Sequence, residues 1–119
     1  MLVKTMRDCI ALTANDGCRL FELLHPKNDD IELPYSLAIA EVEPHQSSYR
    51  HRLKQTEVYY VLAGSGLMHI DEETQRIGVG DAVVIPAGTA QWIENPDDQV
   101  LRFAALVSPP WRDEDDQRL

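Results

Sequence analysis

The chain has 119 residues, of which 44% are apolar and 26% are charged, a composition typical of one globular domain. Its 20 acidic and 11 basic residues give a formal net charge of −9, which argues against binding to nucleic acid or to an anionic membrane surface. No apolar run approaches the roughly 20 residues that a bilayer-spanning helix needs, and residues 1–14 lack the apolar core of a signal peptide. We therefore expect a cytoplasmic protein with Cys9 and Cys18 as free thiols.

The predicted elements are short strands separated by turn signals. Asn15-Asp16-Gly17 marks a turn before a strand over 18–24, and His25-Pro26 opens a polar loop in which we expect His25 to be solvated. Further strands are predicted over residues 35–42, 57–62, 67–70, 75–79, 82–85, 91–94 and 100–107. Short strands at this spacing are typical of an all-β barrel or sandwich of antiparallel strands.

The same pattern predicts one domain made of three parts. Residues 1–34 are expected to form an N-terminal extension that packs on the barrel, and residues 35–111 to form the barrel itself. Residues 112–119 are a charged C-terminal tail that we expect to be loose.

Two predicted strand faces begin with a polar side chain and continue with mainly apolar residues. Alternate residues of a strand face the same side, so the faces are Glu57 with Tyr59 and Val61, and Gln91 with Ile93 and Asn95. A polar group turned into a core is costly unless it is paired. The pattern therefore predicts that Glu57 and Gln91 meet polar partners inside the fold.

Two spaced motifs carry these residues. The first is His45, five residues, His51-Arg52-Leu53, three residues, Glu57, six residues and Gly64; the second is Gly80, five residues, Pro86-Ala87-Gly88, two residues, Gln91, three residues and Asn95. Together they resemble the two sequence boxes of the cupin superfamily, which are small barrels of the double-stranded β-helix (jelly-roll) type. The resemblance covers about residues 35–107 and implies this all-β fold.

The motifs depart from the family pattern at three positions. Leu53 stands where a second histidine is usual, Gln91 where a third is usual, and His45 where the first box opens with glycine. Of the family's three-histidine, one-carboxylate ligand set, His51 and Glu57 are intact.

The resemblance implies one divalent metal ion, of zinc, iron, manganese or nickel, held by His51, Glu57 and Gln91. His45 or His69 could complete this set, although strand alternation turns His69 outward if Met68 and Ile70 face the core. In a metal-free reading, His51 and Glu57 instead hydrogen-bond each other.

Glu57 and Tyr59 are the candidate catalytic residues, as groups able to move a proton. For Tyr59 the alternative is a core aromatic whose hydroxyl is satisfied. Arg50 and Arg52 flank His51 and, by strand alternation, face the opposite side of the strand, so we expect them at the surface. An inward bend of the chain would instead let either arginine hold a carboxylate ligand.

We expect the site to bind an oxygen-rich small molecule, and dioxygenase, isomerase and decarboxylase chemistry all occur on the family's scaffold. The rival hypotheses are a metal-free ligand-binding module and a non-catalytic dimer partner. Apolar residues predicted to face outward, namely Val58, Tyr60, Leu67 and Trp92, favour a homodimer, as does the resemblance.

Overall fold

The computed structural model describes all 119 residues, and its regular structure is almost entirely β. Eleven strands follow one another as β1 (Leu12–Thr13), β2 (Arg19–Leu24), β3 (Ser36–Val42), β4 (His51–Leu53), β5 (Thr56–Ala63), β6 (Ser65–Ile70), β7 (Glu73–Gly78), β8 (Ala82–Ile85), β9 (Ala90–Glu94), β10 (Leu101–Ser108) and β11 (Asp116–Arg118). Two short 3₁₀ helices, Met6–Asp8 and Asp113–Asp115, lie near the ends. No helical segment is long and apolar enough to cross a membrane.

The strands form two antiparallel sheets. The six-stranded sheet has the order β1-β2-β3-β10-β5-β8, and the five-stranded sheet has the order β11-β4-β9-β6-β7. Strand β10 lies between β3 and β5 and pairs with both along nearly its whole length. The predicted all-β architecture of antiparallel strands is confirmed.

The core lies between the two sheets and consists of the inward residues of each strand. In β5 every second side chain is buried, and in β10 the same alternation runs from Leu101 to Val107. Phe103 is 1% exposed and its ring lies 4.2 Å from that of Tyr59, centroid to centroid. The period of two that the sequence shows is therefore the alternation between core and outer face.

The C-terminal residues are ordered, which differs from the expected loose tail. Strand β11 pairs with β4, with Asp116 opposite Leu53 and Arg118 opposite His51. The backbone N–H of Leu119 also donates to the carbonyl of Arg50 at 2.9 Å. The polar sequence of β11 does not indicate a strand, because the pairing depends on backbone groups rather than on side chains. Without β11, the backbone groups of β4 would be unpaired at the sheet edge.

Both sheets thus extend beyond residues 35–111. Strands β1 and β2 precede this range and belong to the six-stranded sheet, while β11 follows it and belongs to the five-stranded sheet. The terminal segments therefore form part of the walls around the interior.

The four apolar residues predicted to face outward do so, but they lie on two different surfaces. Val58 and Tyr60 lie on β5, on the outer face of the six-stranded sheet. Leu67 and Trp92 lie on β6 and β9, on the outer face of the five-stranded sheet. The two pairs therefore point to opposite sides of the molecule.

Candidate functional site

The predicted site residues face one another across the two sheets. His51 in β4 lies directly opposite Gln91 in β9, and both side chains are buried. Glu57 and Tyr59 are buried on the inner face of β5, in the other sheet. The Tyr59 hydroxyl donates a hydrogen bond of 3.2 Å to Gln91 Oε1, which joins the sheets at this point.

His51 is held by an aspartate that the sequence did not identify. Its Nδ1 lies 2.9 Å from Asp116 Oδ1, and because a carboxylate only accepts, Nδ1 carries the hydrogen. The other oxygen of Asp116 accepts a hydrogen bond of 3.1 Å from Trp111 Nε1. This chain of contacts leaves His51 Nε2 buried and without a hydrogen-bond partner.

A second aspartate stands on the other side of the imidazole. Asp16 Oδ2 lies 3.7 Å from His51 Nε2, too far for a hydrogen bond, while Asp16 Oδ1 accepts the backbone N–H of Cys18 at 3.0 Å. Burial disfavours the imidazolium, but the Asp116 hydrogen bond and the surrounding carboxylates outweigh it and raise the pKa of His51. The site thus favours a protonated His51.

Glu57 is the most strongly perturbed carboxyl group of the site. Burial raises its pKa to about 7, and the charge of His51 and the Gln91 amide only partly oppose this shift. Its Oε1 is buried and has no hydrogen-bond partner. A carboxyl group with such a pKa exchanges protons readily at neutral pH, as a general acid or base requires.

Tyr59 is placed as a core aromatic with a satisfied hydroxyl. Burial and the charge of Glu57 raise its pKa well above the ordinary value of a phenol. The phenol therefore stays protonated at neutral pH and acts here as the donor that orients Gln91.

The remaining histidines do not enter the same cluster. His45 is exposed and its Nε2 lies 2.7 Å from Asp98 Oδ1. His69 faces outward, as predicted, and stacks on Trp92 with ring centroids 4.3 Å apart. His25 is buried rather than solvated, because Nε2 bonds the Trp111 carbonyl at 2.8 Å and Nδ1 accepts the Lys27 N–H at 3.1 Å.

The two arginines beside His51 lie outside, as expected. Arg52 Nε donates to the Gly88 carbonyl at 2.9 Å, and the Arg50 guanidinium lies 5.5 Å from the centre of the Trp92 ring. Neither side chain is available to hold a carboxylate ligand near His51.

The buried polar residues around His51 line a cavity of about 160 Å³. His51, Glu57 and Tyr59 contribute to its wall, together with Asp16 and Asp116. Both terminal segments complete it, and a hydrogen bond of 2.6 Å from Asn15 Nδ2 to Asp113 Oδ1 joins them. Sequence reasoning missed both aspartates because one lies in a turn motif and the other in a charged tail, where an acidic residue carries no signal of its own.

The donor set does not fit a complete metal centre. His51 Nε2 and Glu57 Oε1 are free, but Gln91 Oε1 accepts from Tyr59, and Leu53 is buried where the family pattern has its second histidine. No group of three or more His, Cys, Asp or Glu side chains is placed to hold a metal ion. Metal binding by His51, Glu57 and Gln91 stays a prediction, and the chemistry below is derived without it.

A cupin domain model matches residues 38–108, which is more than half of the chain. The chain belongs to the cupin family. This cupin is 35% identical over 120 residues to an uncharacterized protein of Methanocaldococcus jannaschii, a match that covers 99% of this chain and 95% of that protein.

Solved structures show the same fold in proteins of differing activity. The polyketide cyclase RemF of Streptomyces resistomycificus has a TM-score of 0.84 at 22% identity, covering 100% of this chain and 85% of its own. A predicted oxalate decarboxylase of Thermotoga maritima has a TM-score of 0.79 at 21% identity, covering 91% of this chain and 99% of its own. At this identity the likeness shows the fold alone.

Proposed function

We propose that this cupin binds a small organic molecule in the cavity and moves protons on it with His51 and Glu57, without a metal ion. One observation carries the proposal: His51 Nε2 and Glu57 Oε1 are both buried and both lack a partner, and the two residues line the same cavity. Buried polar atoms are nearly always satisfied. A ligand that offers a donor and an acceptor would satisfy these two.

The roles of the two residues follow from their surroundings. Glu57, with a pKa near 7, can take a proton from a carbon beside a carbonyl group when it is ionised. Asp116 holds Nδ1 of His51, so a protonated Nε2 can donate to the carbonyl oxygen as negative charge develops there. Return of the proton to a different carbon would complete an isomerisation, one of the reaction classes expected from the family.

This role can be tested by proton exchange on a simple ketone. Acetophenone in D₂O exchanges its methyl hydrogens for deuterium through its enol, and loss of the methyl signal in the proton NMR spectrum follows the rate. We expect the wild-type protein to accelerate the exchange over buffer, and Glu57→Gln to reduce this acceleration by roughly 10²–10⁴-fold, the usual contribution of a positioned base.

Glu72→Gln is the matched control, because Glu72 is exposed in the turn between β6 and β7. It should exchange acetophenone at the wild-type rate. A wild-type rate equal to that of buffer, or an unchanged rate in Glu57→Gln, would contradict the proposal.

A metal-bound site is the second candidate function. The observation that favours it is the carboxylate on His51 Nδ1, because metal-ligating histidines commonly bond a carboxylate through their other nitrogen. With such an ion bound, the family's dioxygenase and decarboxylase chemistry would enter the range of functions.

Elemental analysis separates the two candidates. After purification without chelator and supplementation with zinc, iron, manganese or nickel, we expect much less than one ion per chain, because only two donors are free. We also expect His51→Ala to have the same content as wild type. Stoichiometric metal in the wild type that is lost in His51→Ala would instead establish the metal site.

The expected homodimer is a separate proposal. What supports it is the exposed apolar area on the outer face of the six-stranded sheet, where Tyr60, Leu62 and Val84 are each more than 40% exposed. Trp92 lies on the other sheet and is already half-buried, because its ring stacks on that of His69. It is therefore a poorer candidate for the contact.

A further inference from the structure

The size of the cavity limits the ligand to about one ring. Its volume of about 160 Å³ is close to the roughly 150 Å³ of an engineered apolar cavity that admits benzene in another protein. A single six-membered ring with one small substituent therefore matches the space.

The wall of the cavity is mainly apolar. Thirteen of its 22 lining residues are hydrophobic, and those on the six-stranded sheet include Leu20, Leu37, Ala40, Phe103, Ala105 and Val107. Apolar walls of this kind favour the hydrocarbon part of a ligand, while a few polar groups select its substituent.

The polar groups of the wall carry predominantly negative charge. Four acidic residues line the cavity, and no lysine or arginine does. Glu22 is neutralised from outside by Lys27 Nζ at 2.9 Å, which leaves Asp16, Glu57 and Asp116 around one imidazole. The arginines that could have offset this charge face outward.

We infer that the cavity takes an uncharged or cationic molecule of single-ring size and rejects a carboxylate of the same shape. The inference rests on the proposed function only in that both concern this cavity. A carboxylate would lose its hydration beside Asp16, Glu57 and Asp116, three carboxyl groups that face the single imidazole of His51, whereas an ammonium or hydroxyl group would meet acceptors at Asp16 and Glu57.

Three probes of nearly equal shape and different charge test this selectivity: benzylamine, benzyl alcohol and benzoate. Trp111 lines the cavity and Trp92 lies on the outer face of the other sheet, so their indole N–H signals in ¹⁵N NMR spectra report on the cavity and on an internal control. We expect benzylamine and benzyl alcohol to shift the Trp111 signal while leaving that of Trp92 in place. Benzoate should bind at least about tenfold more weakly than benzylamine.

Asp16→Asn should reduce the ratio of the affinity for benzylamine to the affinity for benzoate several-fold, because it removes one negative charge from the wall. Asp30→Asn removes an exposed carboxylate outside the cavity and should leave the ratio unchanged. Benzoate binding as tightly as benzylamine would overturn the inference, as would the absence of any Trp111 shift with all three probes. A ratio that Asp16→Asn and Asp30→Asn alter equally would overturn it too.

The probes do not react, so their binding order is independent of proton transfer by Glu57. Selective binding without acetophenone exchange would refute the proposed function and leave this inference intact. Accelerated acetophenone exchange together with preferential binding of benzoate would refute this inference and leave the proposed function intact.

Discussion

Replacing Glu57 by glutamine should stabilise the protein above pH 8 by about 3 kcal/mol. The pKa of Glu57 is about 7 in the fold and its ordinary value is 4.5, and each unit of difference corresponds to about 1.4 kcal/mol. The folded state therefore binds the proton more tightly than the unfolded chain does. Glutamine keeps the shape of the neutral carboxyl group and does not ionise.

The sign of the pH dependence follows from this difference. The stabilisation from a protonated Glu57 is complete below pH 4.5 and is lost as the pH rises through 7, so the free energy of unfolding of the wild type should fall across this range. Urea unfolding at pH 5 and pH 8.5 measures the effect. Glu57→Gln should show a weaker decline, because only the raised pKa of His51 still contributes one, while the exposed Glu72→Gln should retain the wild-type decline.

An equal pH slope in wild type and Glu57→Gln would contradict the assignment, since it would mean that Glu57 ionises freely in the fold. The expected result also has a functional meaning. A carboxylate that costs stability is retained when it serves a ligand or a reaction, which is a common trade-off between stability and activity.

Replacing Asp116 by alanine should destabilise the fold by about 3 kcal/mol, the order observed when one partner of a buried charged pair is removed. The side chain of Asp116 is 7% exposed and uses both oxygens, one on His51 and one on Trp111. Alanine would leave Nδ1–H of the buried His51 and Nε1–H of Trp111 without this acceptor. It should also lower the pKa of His51, because the hydrogen bond that favours the imidazolium is lost.

Urea unfolding and an NMR titration of the His51 imidazole measure these two effects. Glu114→Ala is the control on the same segment, because Glu114 is exposed and pairs only with Arg112. It should leave both the stability and the His51 titration close to wild type. If Asp116→Ala behaves like Glu114→Ala, then Asp116 does not position His51.

The two sequence motifs predicted the fold well because they record backbone constraints. Gly64 has φ of 75°, and a Cβ there would lie 2.6 Å from the Val100 carbonyl oxygen, so the close approach of the β5–β6 turn to the segment before β10 needs glycine. His45, which replaces the family's opening glycine, keeps φ at 61° and so preserves the left-handed turn despite its side chain. Asn95 is buried and its amide bonds the carbonyls of Val42 and Gln99, so it ties neighbouring segments together.

Strand alternation predicted the inward faces of Glu57, Tyr59 and Gln91, and the resemblance of the first motif added His51; all four residues are buried, because alternation depends only on local backbone geometry. The surroundings of these four residues, by contrast, depend on how distant segments of the chain come together. Asp16 and Asp116 reach His51 from the two ends of the chain, and His25 becomes buried under Trp111, through contacts over as many as 86 positions. Such contacts have no local sequence signal, because the sequence around an aspartate in a turn or a polar tail does not differ between one that contacts water and one that contacts an imidazole. Partners far apart in sequence meet according to how the two sheets close, and this closure determines which charged groups surround the cavity.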